Sequence, residues 1–166
     1  MPTISSFYGI ITVIMIEAIK LILKEKTLFD LVFIEGSIKR YDILTLAKKF
    51  PQLNALKDRK LFLKGHLMGG GVVWNDELDI EGETIYEDGV DVTNEYDDTD
   101  ISNIVIGYQI KQKRLEQFMS QEELAMKAGI DQSDLSKIER GCMNPSVRML
   151  NKIAKGLGLK LKLSFE

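Results

Sequence analysis

The chain of 166 residues has few of the residue types that build cross-links and metal centres: one cysteine, one histidine and three prolines. The single cysteine, Cys142, has no second thiol with which to form a disulfide within the chain, as is typical of proteins from reducing compartments. Cys142 and the single histidine, His66, are also too few for the usual tetrahedral zinc sites. We therefore expect no disulfide framework, no metal and no cofactor.

The chain also lacks a long uninterrupted apolar run. The longest stretch extends from Ile10 to Leu23 and contains Glu17 and Lys20, so it falls short of the ~20 apolar residues that cross a bilayer. It has neither the basic start nor the small-residue cleavage site of a signal peptide. We expect a cytoplasmic protein that does not associate with membranes.

The charge is distributed unevenly along the chain. Residues 1–100 contain 11 Lys and Arg and 18 Asp and Glu, a net charge of −7, whereas residues 101–166 contain 11 and 7, a net charge of +4. A basic module joined to an acidic one suits one half that faces phosphate and another half with a different role. Residues 87–100 contain seven acids and no Lys or Arg, which predicts a solvated acidic linker near their end. The predicted organisation is a first domain over 1–94, an acidic linker over 95–101 and a second domain over 102–166.

In the first half, apolar residues alternate with a period of two, which predicts β-strands. The predicted strands cover residues 16–24, 28–34, 37–43, 61–68 and 72–74. A short helix is predicted over residues 45–50, because Pro51 follows it. The predicted fold class of this half is therefore α+β, a small antiparallel sheet with a short helix.

In the second half, the period changes to 3.6 residues and the helix boundaries are marked. Ser120 and Glu123 have the spacing of a capping box, and Gly129 can adopt the left-handed conformation that ends a helix. Asp131 is a candidate N-cap of the next helix, and Gly141 can end it. Two short helices joined by a glycine-containing turn cross steeply, which is the geometry of a helix-turn-helix. A further helix is predicted after residues 144–146, and residues 159–165 alternate like a final strand.

A string of residues in this half carries a family resemblance. It comprises residues 106–107, Ile110, Arg114, residues 120–125, Gly129, residues 136–141 and residues 144–145. At this spacing, over about 60 residues, the chain resembles the Xre family of phage-repressor-like (lambda repressor-like) helix-turn-helix domains. The resemblance implies an all-α domain that binds double-stranded DNA and regulates transcription.

In such a domain the second helix of the motif, here about residues 132–140, lies in the major groove with its N-terminal residues towards the bases. Gln132, Ser133 and Lys137 match the base-reading positions of the family, and glutamine and lysine side chains suit adenine and guanine edges. Gln121 matches the backbone clamp at the N-terminus of the preceding helix, where free N–H groups favour a phosphate. Further phosphate contacts are assigned to Ser136, Arg140, Asn144 and Arg148.

Other roles remain open for several of these residues. The outer face of the second helix is alternatively an ordinary solvated surface, and Arg148 and Lys152 are alternatively solubility charges. For Arg114 and Glu139 the resemblance implies a structural salt bridge between the first and third helices, with the bidentate geometry that arginine favours.

The first half carries a second resemblance. The residues concerned are 28–43, 50–51, 56–58, Phe62, 71–75 and Asp79. They resemble the domain-of-unknown-function family twenty-four forty-two, although Asn75 stands where that family commonly has proline after the tryptophan. Residues 1–11 resemble the opening of a different uncharacterised family, whose genes often neighbour the former in arrangements like toxin–antitoxin pairs. We interpret residues 1–14 as a fusion remnant and place the start of the essential domain at about Met15.

No constellation of nucleophile, base and orienting residue is visible in the sequence, so we expect no enzyme. The acidic residues between 76 and 83 lack the spacing of a calcium loop. The leading hypothesis is a homodimeric DNA-binding regulator whose N-terminal domain serves dimerisation or binds a partner or effector. An antitoxin-like protein that binds a partner protein and represses its own operon is the first alternative. A small-ligand sensor or enzyme built on the N-terminal sheet is the second.

Overall fold

A computed structural model describes residues 16–164 of the chain. The strands are Ala18–Leu23 (β1), Leu28–Phe33 (β2), Ile38–Asp42 (β3), His66–Met68 (β4), Gly71–Asn75 (β5), Leu78–Ile80 (β6) and Val90–Asp91 (β7). The α-helices are Arg59–Phe62 (α1), Gly82–Asp88 (α2), Asp98–Glu116 (α3), Gln121–Ala128 (α4), Gln132–Glu139 (α5) and Val147–Gly156 (α6). Short 3-10 helices cover Ile43–Leu46, Pro51–Lys57 and Thr93–Glu95. Below, residues 16–95 are the sheet half and residues 98–164 the helical half.

The sheet half contains two antiparallel sheets, one with the strand order β1-β2-β3-β7 and one with the order β4-β5-β6. Side chains alternate across β2, because successive residues of a strand point to opposite faces. Phe29, Leu31 and Phe33 join a buried cluster with Trp74 and Phe62 that fills the space between the sheets. The first sheet therefore has one face committed to the core of its own half.

The opposite face of this sheet packs against α3. Val32 and Ile38 of the sheet and Ile101 and Ile104 of α3 belong to one buried cluster, which Val92 completes. All five side chains are at most 8% exposed. The helical half is consequently attached to the sheet through a shared apolar core.

Charged and hydroxyl groups reinforce this attachment beside the apolar cluster. The buried carboxylate of Asp30 on β2 accepts hydrogen bonds from Arg40 Nε and Nη2 at 2.8 and 2.9 Å and from the hydroxyl of Tyr96 at 2.6 Å. Arg40 also pairs with Glu95 at 2.8 Å. Burial opposes ionisation of Asp30, but the bonds from Arg40 and Tyr96 and the charges of Arg40 and Lys24 prevail, so the pKa of Asp30 lies below its usual value. This cluster holds residues 95–96, which precede α3, on the sheet.

The predicted fold class is confirmed: antiparallel sheets precede a helical helix-turn-helix unit. Several local predictions are wrong. The short helix expected over 45–50 is shifted: residues 43–46 form a 3-10 helix and residues 47–49 form turns. A second 3-10 helix over 51–57 was not predicted. The strand expected over 61–68 is confirmed only at residues 66–68, which form β4. Residues 59–62 form α1 instead, since the side chain of Asp58 caps the N–H of Lys60.

The sequence analysis also missed β6, α2 and β7. Residues 95–101, predicted to be a solvated linker, include the first turn of α3, which begins at Asp98 because the side chain of Asp97 accepts from the N–H of Thr99. Residues 159–164, predicted to form most of a final strand, belong to no strand. The hypothesis of a fusion remnant over 1–14 falls on residues outside the described part of the chain. None of the helices within residues 16–164 combines the length and apolar composition that a bilayer crossing requires.

Candidate nucleic-acid interface

Local signals in the sequence define α4 as predicted. The Ser120 hydroxyl accepts from the N–H of Glu123 at 3.1 Å, and the Ser120 N–H donates to the Glu123 carboxylate at 2.7 Å. These two bonds form the capping box, and the bond from the Ser120 N–H contributes most to lowering the pKa of Glu123. Gly129 ends the helix with φ of +61°, in the left-handed region that glycine enters without steric cost.

The following helix, α5, separates a buried face from an exposed one. Leu135 and Ile138 are fully buried against α3 and α4. Gln132, Ser133 and Lys137 are all exposed on the outer side of the same helix. The three side chains assigned to base recognition are therefore accessible on one short helix with a rigid support behind it.

A chain of polar contacts fixes the N-terminal ends of α4 and α5 relative to α3. Arg114 Nε and Nη2 donate to Glu139 Oε1 and Oε2 at 2.6 and 2.8 Å, and both residues are 7% exposed. Gln121 Nε2 donates to Glu139 Oε2 at 2.8 Å, and Gln132 Nε2 donates to Gln121 Oε1 at 2.9 Å. The hydrogen bonds to Glu139 raise the pKa of Arg114 above its usual value, so its guanidinium stays charged. The buried ion pair thus orients both glutamines assigned to DNA contacts.

Close packing of α3 against α5 depends on a glycine. A methyl group at Gly107 would overlap the carbonyl oxygen of Ile138. The two helices approach each other closely enough at this point to exclude any side chain on α3. Gly107 therefore sets the short distance between α3 and α5.

The remaining predicted phosphate contacts lie on α5, in the loop that follows it and in the first turn of α6. Arg140, Asn144 and Arg148 are exposed, whereas Ser136 is half-buried. The charge of Lys137 is close to Asp134, with 3.4 Å between Nζ and Oδ1. Separately, the Nζ of Lys152 donates to the carbonyl oxygen of Gly129 at 3.2 Å, a local contact at the end of α4.

Two contacts that were not predicted from the sequence join the two halves, one at α5 and one at α3. Lys20 on β1 donates from Nζ to the main-chain oxygen of Arg140, the C-cap of α5, at 3.2 Å. Tyr108 on α3 also donates a hydrogen bond to the carboxylate of Glu17. Burial of the hydroxyl is the main cause that raises the pKa of Tyr108 to about 12, and this bond is the second. Because more than 90 residues separate the members of each pair along the chain, no local pattern in the sequence indicates them.

His66 and the acidic residues between 76 and 83 lie outside the helical half. His66 is exposed, and its Nδ1 lies 3.1 Å from the main-chain oxygen of Lys64. Within residues 16–164, no group of three or more His, Cys, Asp or Glu side chains is arranged to hold a metal ion.

Comparison with known proteins places this geometry in a family. The family model described as helix-turn-helix matches residues 110–163. The control protein C.BamHI of Bacillus amyloliquefaciens is 38% identical over 60 residues, which are 36% of this chain and 74% of that protein. The chain belongs to the helix-turn-helix family. The predicted Xre-type resemblance of the second half is thereby confirmed over residues 110–163.

Two more proteins are similar to the helix-turn-helix domain. The HTH-type transcriptional regulator SinR of Bacillus subtilis is 45% identical over 58 residues, 34% of this chain and 52% of SinR. The crystal structure of the restriction-modification controller protein C.AhdI from Aeromonas hydrophila has 33% sequence identity and a TM-score of 0.33, covering 33% of this chain and 83% of that one. The chain spans only 30% to 52% of the length of the first curated relatives. The resemblance predicted for the sheet half, to the domain-of-unknown-function family twenty-four forty-two, stays a prediction.

Proposed function

We propose that this protein is a sequence-specific regulator of transcription that binds double-stranded DNA with α5 in the major groove. The observation that carries the proposal is the exposed row of Gln132, Ser133 and Lys137 on a helix whose other face is fully buried. An α-helix of this kind fits the major groove, where each base pair presents a distinct set of donors and acceptors. Transcriptional regulators such as SinR among the relatives support the same function.

Gln132 can still hydrogen-bond to adenine while it keeps its contact with Gln121. Its Nε2 uses one N–H on Gln121, which leaves the second N–H and the carbonyl oxygen for another partner. A glutamine amide oriented in this way pairs with the N6 and N7 positions of adenine. Lys137 donates instead to the O6 and N7 acceptors of guanine. In this proposal the contact between Lys137 and Asp134 gives way to the base.

Affinity comes from a separate set of contacts. Gln121 lies at the N-terminus of α4, where unpaired main-chain N–H groups and the helix dipole favour a phosphate. Arg140, Asn144 and Arg148 are exposed where the chain leaves α5, and we assign them to phosphates together with the half-buried Ser136. Phosphate contacts set the register of a protein on the duplex without reading its sequence.

One helix-turn-helix reads only a few base pairs, and two copies related by a two-fold axis reach two half-sites about one helical turn apart. We infer that the protein acts as a homodimer. The sheet half supplies either the dimer interface or a binding surface for a partner or effector. Sedimentation equilibrium of the full chain and of its complex with the selected duplex measures this directly. A strict monomer in both samples contradicts the dimer.

Selection of bound fragments from a random pool of duplex DNA tests the function. The wild type is expected to yield a short inverted repeat. Gln132→Ala and Lys137→Ala are each expected to relax the preference at one position per half-site and cost about 1–3 kcal/mol. Gln121→Ala is expected to weaken binding to all sequences alike. Lys155→Ala, which removes an exposed charge in the last turn of α6, is the matched control and keeps the wild-type preference. A pool that remains random after selection refutes the proposed function.

A further inference from the structure

A cleft between the sheet half and the helical half opens beside the C-terminal end of α5. It has a volume of about 400 Å³, and its walls carry Lys20 from β1, Lys111 from α3 and Arg140 from the end of α5. Lys111 and Arg140 are exposed, and Lys20 is half-buried. Three cationic side chains from three separate elements thus surround one opening.

The acidic groups near this cleft are committed to other partners. Glu139 lines it, but its two oxygens accept from Arg114 and Gln121. Tyr108 lines it as well, and its hydroxyl donates to Glu17. Within residues 16–164 none of the three cations forms an ion pair. Glu17 keeps its negative charge, because a hydroxyl does not neutralise a carboxylate, but the three cations outnumber it. The cleft therefore carries a net positive charge, and such a site attracts an anion.

We propose that this cleft binds a phosphate of the DNA backbone, so that Lys111 extends the interface from α5 onto α3 and Lys20 extends it onto the sheet half. The inference rests on the proposed function, since it uses the placement of α5 in the major groove. Arg140 belongs both to this cleft and to the predicted phosphate contacts at the end of α5. A phosphodiester that reaches Arg140 is consequently beside the other two cations.

Lys20 has a second effect at this position. Its ammonium group donates to the main-chain oxygen of Arg140 at the C-terminal end of α5, where the helix dipole concentrates partial negative charge. This contact holds β1 against the recognition helix and keeps the sheet half next to the duplex. Because Lys20 also has this structural role, Lys111 is the better residue for a test of phosphate binding.

Lys111 and Lys113 provide a matched pair on one helix. Both are exposed on α3, but Lys113 lies on another side of the helix and pairs with Glu116 at 2.8 Å. The experiment measures binding of full-length wild type, Lys111→Ala and Lys113→Ala to one selected duplex between 50 and 200 mM salt. Thermal melting of each variant verifies that it is folded.

Each phosphate contact contributes about 0.9 to the slope of the logarithm of affinity against the logarithm of salt concentration. Lys111→Ala is expected to lower the magnitude of the slope by about that amount. The ratio of the wild-type affinity to the affinity of Lys111→Ala then falls about 3.5-fold between 50 and 200 mM salt. Lys113→Ala is expected to keep the wild-type slope. Lys20→Ala is expected to lower the slope as well, in addition to any change in melting.

Three results overturn the inference. An unchanged slope for Lys111→Ala, with the wild type still selecting a sequence, refutes the cleft as a phosphate site and leaves the proposed function intact. Equal losses of slope for Lys111→Ala and Lys113→Ala refute it too, because the effect is then one of overall charge. A wild type that binds no duplex at any salt concentration contradicts the proposed function and this inference together.

Discussion

Replacement of Glu139 by alanine tests whether the buried ion pair holds the recognition helix. Glu139→Ala leaves the guanidinium of Arg114 7% exposed and without its carboxylate. Removal of one partner from a buried pair costs about 3–5 kcal/mol, because the remaining charge stays desolvated. Gln121 loses an acceptor at the same time. Because 1 kcal/mol lowers the melting temperature of a chain of this size by about 2–4 °C, we expect a decrease of roughly 6–20 °C.

The assay is thermal unfolding followed by circular dichroism, with a second variant as the control. Arg114→Met with Glu139→Met removes both charges and keeps apolar volume, and such replacements are often neutral or stabilising. The double variant is therefore expected to melt well above Glu139→Ala. The physical argument is refuted if Glu139→Ala melts like the wild type, or if the double variant melts lower than the single one.

Three further predictions concern stability. Asp30→Asn is expected to lower the melting temperature at pH 7. The difference in melting temperature between variant and wild type is expected to narrow below about pH 4, because the carboxylate of Asp30, whose pKa is lowered in the fold, stabilises the fold only while it is ionised. A difference in melting temperature that is independent of pH from 7 to 2 contradicts this. Gly107→Ala forces α3 away from Ile138 and is expected to lower the free energy of unfolding in urea by roughly 1–3 kcal/mol. The control Ser102→Ala, at an exposed position of the same helix, is expected to be near neutral. Equal urea midpoints for the two variants refute the close approach of α3 and α5. Ser120→Ala removes the capping box and costs about 0.5–2 kcal/mol in the same assay, and a wild-type midpoint disproves the role of the cap.

The helix-turn-helix was predictable because its determinants are local. Ser120 and Glu123 are three residues apart, and Gly129 follows directly after the helix that it ends. Capping boxes and left-handed caps act within one turn, so their pattern is visible in the sequence without knowledge of the fold. The same locality explains why the exposed side of α5 was identified before the structure.

The parts of the fold that the sequence did not indicate depend on distant partners. The apolar residues Leu61, Phe62 and Leu63 resembled a strand, but the carbonyl of Phe62 accepts from the indole N–H of Trp74 at 2.9 Å and favours the compact turn. The acidic segment before α3 looked solvated, yet Tyr96 reaches Asp30, 66 residues earlier. The basic cleft likewise requires Lys20 and Arg140 to meet across 120 residues. Such contacts follow from the packing of the two halves and leave no periodic pattern.

The central claim is that the outer face of α5 reads bases. A double-mutant cycle tests it most directly: affinities of wild type and Lys137→Ala are measured by fluorescence anisotropy for the selected duplex and for duplexes with each single base pair replaced. We expect a coupling of about 1–3 kcal/mol between Lys137 and one guanine per half-site, with little coupling elsewhere. Affinity that falls equally on every duplex, with no coupled base pair, would contradict it.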